Sequence, residues 1–271
     1  MPVELILARA ASGKTQACLQ HIQNVRQTDP LSTIWVLVPN APNVAYFRKR
    51  LAKSGGGIGV HVGTFSTLIT DLLEEQGNFT PVITPTLSYR LIQVVLEAAF
   101  NAGELAYYAP IKDKPGFIDV LQYSFSELRS AYISPQTYLE YTRTKPSAKA
   151  ELARLYARFI DQLEGIGYID PIGQTWQAIN ALQNNPQAAS HIRLLVVDGF
   201  TTINHARIQL LKQLSAQVGD LLITLPGEQL SPRSVHQRTL PLVKILEQEL
   251  SSRITELITP TRLPPEVKYL E

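Results

Sequence analysis

Apolar residues follow two rhythms along this chain. Near its start and in its last third, short apolar runs alternate with helical patterns. The runs are VELILA at 3–8, TIWVLVP at 33–39, VHVGTF at 60–65, HIRLLVVDGF at 191–200 and DLLITLP at 220–226. They have the length and β-branched content of buried strands. Helical spacing follows each: residues 14–27, a segment capped by Asn43 with Val44, Phe47 and Leu51 on one face, STLITDLLEEQG ending at Gly77, and ARIQLLKQLSAQ. VHQRTLPLVKILEQELSSR reads as a helix that starts or kinks near Pro241, and ITELITP as a further strand. RLPPEVKYLE closes the chain with no element of its own.

From 81 to 182 only the helical rhythm is heard. SYRLIQVVLEAAFNAG, GFIDVLQYSFSELRSAYI and AELARLYARFIDQLEGIG are separated by proline-containing breaks. The pattern predicts an α/β fold: a parallel sheet covered by helices on both faces, residues 1–80 and 183–271, interrupted by a helical insertion at 81–182. Residues 3–8 and 194–198 are expected to be neighbouring strands.

Composition narrows the class only a little. At 271 residues and 45% hydrophobic, the chain buries a sizeable core. A net charge of +2 is too small to declare or exclude a nucleic-acid partner. A single cysteine, Cys18, rules out an internal disulfide framework or cysteine metal site and fits a cytoplasmic location. No secretory signal and no membrane-spanning apolar run is present.

The candidate chemistry begins where the first strand ends. ARAASGKT has P-loop spacing, with Ala8 at the first glycine position. Backbone N–H groups of Ala10, Ala11, Ser12, Gly13 and Lys14 can converge on phosphate oxygens, at the positive end of the following helix. Lys14 would reach the β- and γ-phosphates of ATP, and Thr15 would hold Mg²⁺. A chance Gly-Lys-Thr at a helix start is the plain alternative. LLVVDGF supplies a strand ending in Asp198, a second Mg²⁺ ligand by position, although Asp-Gly is also an ordinary turn. The next residue, where many motors carry a water-orienting glutamate, is Gly199.

Thr64, Phe65 and Ser66 lie where a strand meets a helix. All three are candidate DNA contacts, and the Thr64 and Ser66 hydroxyls suit either a helix cap or a DNA phosphate. Arg129, Tyr132, Tyr138, Tyr141, Arg143, Lys145, Lys149, Arg154 and Arg158 interleave basic and aromatic side chains. That mixture suits single-stranded nucleic acid, and equally a solvated helix face. The five histidines, His21, His61, His191, His205 and His236, show no metal-ligand spacing.

The order of these pieces resembles the first motor domain of superfamily 1 helicases of the UvrD type: P-loop, LVPNAPNVAYFRKRL, VGTFSTLITDLLEEQG, a helical insert, then LLVVDGFTTINHARIQLLKQL. It is most similar to the B subunit of AddAB/RexAB helicase–nucleases. Members of that family carry a GRAGSGKT-like loop and a VDGF-like motif where true motors have DEFQD. Here Asp198 is kept, Gly199 and Thr202 stand for the other two acids, and DLLITLP lacks the third-motif glutamine. The resemblance implies a RecA-like P-loop NTPase core that binds ATP and Mg²⁺ with degenerate hydrolysis motifs. It implies DNA and an AddA/RexA-type subunit as partners, in a complex that resects double-strand breaks. Family members are far longer and continue into a second motor-like domain and an iron–sulfur nuclease, so the chain is expected to be an N-terminal fragment without nuclease activity. The competing readings are an active motor, a small-molecule P-loop kinase, and a scaffold with a dead loop.

Overall fold

The computed structural model describes residues 3–144, 147–228, 237 and 239–257. Its central feature is a six-stranded, all-parallel sheet of the RecA-like kind. The strands are β1 (Val3–Ala8), β2 (Thr33–Leu37), β3 (Val60–Gly63), β4 (Ile192–Val197), β5 (Asp220–Pro226) and β6 (Arg253–Glu256). Their order across the sheet is β3-β2-β4-β5-β1-β6. Helices α1 (Lys14–Thr28), α2 (Ala41–Lys53), α3 (Phe65–Glu75), α9 (His205–Ser215) and α10 (Leu240–Leu250) alternate with these strands in the chain.

Alternate residues of each strand point to opposite faces, and both faces are buried here. Ile6, Ile34, Val36, Leu194, Val196 and Leu222 pack with Cys18, Leu19 and Ile22 of α1 and Phe47 and Leu51 of α2. On the other face Leu5, Leu7, Leu37, Leu195, Val197 and Ile223 are no more than 1% exposed.

One expectation fails. β1 and β4 are not neighbours, because β5 lies between them and pairs with both. A strand buried on both faces reads the same wherever it sits in the sheet, so hydrophobic pattern carries no strand order. A second correction is local. Asn40, not Asn43, caps α2: the Asn40 side chain accepts the Asn43 N–H at 3.1 Å. Pro42, which has no N–H to offer, sits in the first turn, where Pro is tolerated.

The chain divides into two compact units. One holds the sheet, with residues up to Gly77, Ala178–Ile203 and those from Arg207 onward. The other comprises Asn78–Gln177 with Asn204–Ala206. This second unit is helical: α4 (Pro85–Asn101), a 3₁₀ turn at Ala109–Ile111, α5 (Phe117–Ser130), α6 (Pro135–Thr142), α7 (Ala148–Gly165) and the start of α8 (Pro171–Asn184). Thr84-Pro85 and Ser134-Pro135 open α4 and α6, each with a capping hydroxyl followed by Pro. Leu91, Val95, Leu121, Phe125, Tyr156 and Phe159 are among the side chains of its own core. Its first and last segments are clipped together by a parallel bridge, Val82 to Ile169. Inside, the Arg129 guanidinium meets Asp170 through two N–H donors at 3.2 and 3.0 Å and lies over the Trp176 ring.

The helix read at 235–253 is observed only as α10. Most of 235–239, the end of ITELITP and RLPPEVKYLE lie outside the described residues. No helix among the described residues is long and apolar enough to cross a membrane.

Candidate functional site

The site grows from the carboxyl ends of β1, β4 and β5. β1 stops at Ala8, and the loop that follows turns sharply into α1. Ala8 keeps strand geometry, so alanine at that position carries no backbone strain. The left-handed backbone falls instead at Ala11, φ 54°, and Gly13, φ 94°. Gly13 is the N-cap residue of α1, and no side chain caps this helix. Its first-turn amides, and the positive end of its dipole, therefore face the loop without an internal carboxylate. An Ala in left-handed geometry costs about 1–2 kcal/mol, a strain characteristic of ligand-binding loops.

Ala10, Ala11 and Gly13 are exposed, Ser12 is buried, and Lys14 and Thr15 are half-buried. Lys14 Nζ donates to the carbonyls of Ala8 at 2.9 Å and Arg9 at 2.7 Å. The ammonium thus rests on the backbone of its own loop, at the place a phosphate would claim it.

Sheet register explains the acid. Val197 of β4 is paired with Ile223 of β5, so the next step puts Asp198 level with Thr224. Thr224 is fully buried, and its hydroxyl donates to Asp198 Oδ1 at 2.5 Å. Two strand spacings, about 10 Å, separate β1 from β4. The loop after β1 carries the chain towards β4, and Thr15 Oγ1, in the first turn of α1, donates to Asp198 Oδ2 at 2.8 Å. The buried Cys18 thiol lies one turn further along α1; burial first, and then the charge of Asp198, push its pKa well up. Asp198 is 4% exposed and, among the described residues, makes no ion pair. Buried charges are normally paired or bound to metal. One carboxylate plus one hydroxyl beside an uncapped helix N-terminus would suit Mg²⁺, since that ion keeps several waters and takes its remaining oxygens from phosphates. The residues present fit the group.

Sequence reasoning brought Lys14, Thr15 and Asp198 to this site and missed three residues. Thr224 hid in an apolar strand, where one threonine carries no signal. Cys18 counted only as the single cysteine of the chain. Glu228, just past β5, is 3% exposed and forms an ion pair with Arg9 of the loop across a separation of 219 residues.

The structure distributes the remaining candidates differently. Thr64 caps α3 through a reciprocal box with Thr67. Phe65 is 2% exposed, packed edge-on against Phe200 with Arg207 over its ring, and so offers no face to a base. Ser66 is exposed. In the basic–aromatic stretch Arg129 is buried against Asp170, Arg154 donates to the Glu104 carbonyl and Arg158 pairs with the Glu104 carboxylate. Arg143 and Lys149 are exposed, and Lys145 lies outside the described residues.

Gly199 follows Asp198 with φ +82°. The backbone at that position is left-handed, a conformation glycine adopts freely and glutamate does not.

Comparison with known proteins adds the family. The chain resembles the B subunits of ATP-dependent helicase/deoxyribonucleases. That of Moorella thermoacetica is 26% identical over 255 residues, covering 88% of this chain and 21% of the relative. That of Desulforudis audaxviator is 26% identical over 273 residues, covering 95% and 22%. The Bacillus pumilus protein is 24% identical over 231 residues, covering 79% and 19%. The chain thus spans about a fifth of the length of these relatives. A family profile described as "ADDB, N-terminal" matches residues 5–258, and the chain belongs to that family of AddB N-terminal domains.

Proposed function

We propose that this chain is an ATP- and Mg²⁺-binding, helicase-like domain of a subunit in a helicase–nuclease that resects double-stranded DNA ends, and that it holds nucleotide with little or no turnover. The observation that carries the reading is the Thr15–Asp198 hydrogen bond at 2.8 Å. It joins the P-loop to a buried carboxylate lying two strands away.

In this reading the loop amides from Ala10 to Lys14 bind the phosphates, and Lys14 exchanges its two carbonyl partners for phosphate oxygens. Thr15 and Asp198 hold the ion. When bound, Mg²⁺ neutralises charge on the terminal phosphates and aligns them. Turnover also needs an oriented water. Gly199 brings no carboxylate, and general-base help is worth about 10²–10⁴-fold. The relatives are named as B subunits of ATP-dependent enzymes, which supports ATP use in the complex and a companion subunit of the A type. DNA is the substrate of that assembly. The long helical unit disfavours a small-molecule kinase.

The test is phosphate release from ATP by the purified chain, with and without single-stranded DNA, alongside an equilibrium titration of nucleotide. The expected result is Mg²⁺-dependent binding, lost in Lys14→Ala, without measurable release. A DNA-stimulated rate above about 1 s⁻¹, within the ordinary enzyme range, would revive the active motor.

A further inference from the structure

The P-loop carries a second cation, Arg9, which the nucleotide-binding reading leaves without a role. Its side chain is 41% exposed, yet its guanidinium is drawn into an ion pair with Glu228, whose side chain is 4% exposed. The two residues meet because β1 and β5 end side by side: Ala8 is paired with Pro226, and the Gly227 N–H donates to the Ala8 carbonyl at 3.2 Å. Arg9 also anchors the loop through its backbone. Its carbonyl accepts Lys14 Nζ at 2.7 Å and the Ser12 N–H at 3.4 Å. One residue thus links the buried acid to the lysine that a phosphate would need.

We propose that Glu228 withholds Arg9 from the bound polyphosphate and so sets the affinity of the loop and its preference for phosphate number. This inference rests on the nucleotide-binding reading of the same loop. The physical reason is the cost of separating the pair. Separating a guanidinium from a carboxylate only 4% exposed is costly, so Arg9 stays with Glu228 when anions arrive, and Lys14 is left as the loop's phosphate cation. Glutamine at 228 would fit the same space and remove the charge that holds the guanidinium. Arg9 would then be free to add a charge-assisted bond to the phosphates, and guanidinium pairs well with phosphate oxygens.

The experiment titrates ATP, ADP and AMP, each with Mg²⁺, into the 271-residue chain and three variants: Glu228→Gln, Arg9→Ala/Glu228→Gln and Lys14→Ala. Glu228→Gln should bind ATP about tenfold more tightly than wild type, the order expected of one added charge-assisted hydrogen bond. The gain should shrink for ADP, vanish for AMP, and disappear in the double variant. A structural disturbance at 228 would move all three nucleotides together and would not depend on Arg9. Unchanged or weaker ATP binding in Glu228→Gln, while wild type binds and Lys14→Ala does not, overturns this inference and leaves the nucleotide reading standing. Absence of binding in wild type and in Glu228→Gln alike overturns both.

Discussion

Thr224 and Asp198 lie level on adjacent strands, and the threonine hydroxyl donates to the carboxylate at 2.5 Å in a fully buried position. With Oδ1 held by Thr224, Oδ2 faces Thr15 on α1. The strand inserted between β1 and β4 therefore orients the acid and does not merely fill space. Thr224→Val keeps the shape and removes the donor. It should lower stability by about 1–3 kcal/mol, the cost of a buried acceptor left short of a hydrogen bond. It should also raise the Mg²⁺ concentration needed for half-maximal nucleotide binding. Urea unfolding and a Mg²⁺ titration check the two effects. An unaltered Mg²⁺ dependence would confine Thr224 to packing.

Gly199→Glu restores the acid that motors carry and should restore nothing else. The backbone there has φ +82°, and a Cβ would come no closer than 3.6 Å to Pro39. The penalty is backbone strain, about 1–2 kcal/mol, rather than a clash. The variant should melt at a lower temperature and still release no phosphate. Phosphate release above the wild-type background would show that one missing carboxylate was the whole deficit.

The residues of the candidate site were partly legible in the sequence. Gly13, Lys14 and Thr15 have the spacing of a phosphate loop, Asp198 ends a strand, and the structure brings Thr15 and Asp198 into contact. Strand order was not legible, because β1, β4 and β5 are each buried on both faces and read alike. Thr224 and Glu228 were missed for the same reason. Their roles come from register and from a sheet edge shared by residues far apart in the chain, which periodicity cannot report. Phe65 sits at a strand–helix junction that suggested a DNA contact, and its apolar ring packs in the core.

Glu151 offers a pH test in the helical unit. Its carboxylate accepts the N–H groups of Ala106, Tyr107 and Tyr108 at 2.8, 2.8 and 3.0 Å. Burial alone would raise its pKa, but the three N–H donors and Arg154 together lower it below the ordinary 4.5. The stabilisation is therefore complete above about pH 4.5 and fades as pH falls through the lowered folded-state value. Glu151→Gln should lose about 1–2 kcal/mol at pH 7. The gap to wild type should narrow below about pH 4.5 in urea unfolding, whereas a gap independent of pH would exclude an ionised Glu151.

Arg129 and Asp170 form a buried pair with side chains 8% and 14% exposed. Arg129→Ala should destabilise the chain by about 3–5 kcal/mol, because it strands Asp170. Arg129→Met with Asp170→Leu should cost much less, since no charge is left behind. Equal losses in both variants, measured by thermal unfolding, would assign the effect to the Arg129–Trp176 contact instead.

In the proposed reading the loop holds ATP and leaves it whole, which the nucleotide recovered from the chain after incubation with ATP and Mg²⁺ and rapid removal of free ligand would show. Intact ATP, near one per chain and absent from Lys14→Ala, is the predicted result. Recovery of ADP would show turnover, and recovery of no nucleotide at millimolar ATP would show that the loop does not hold it.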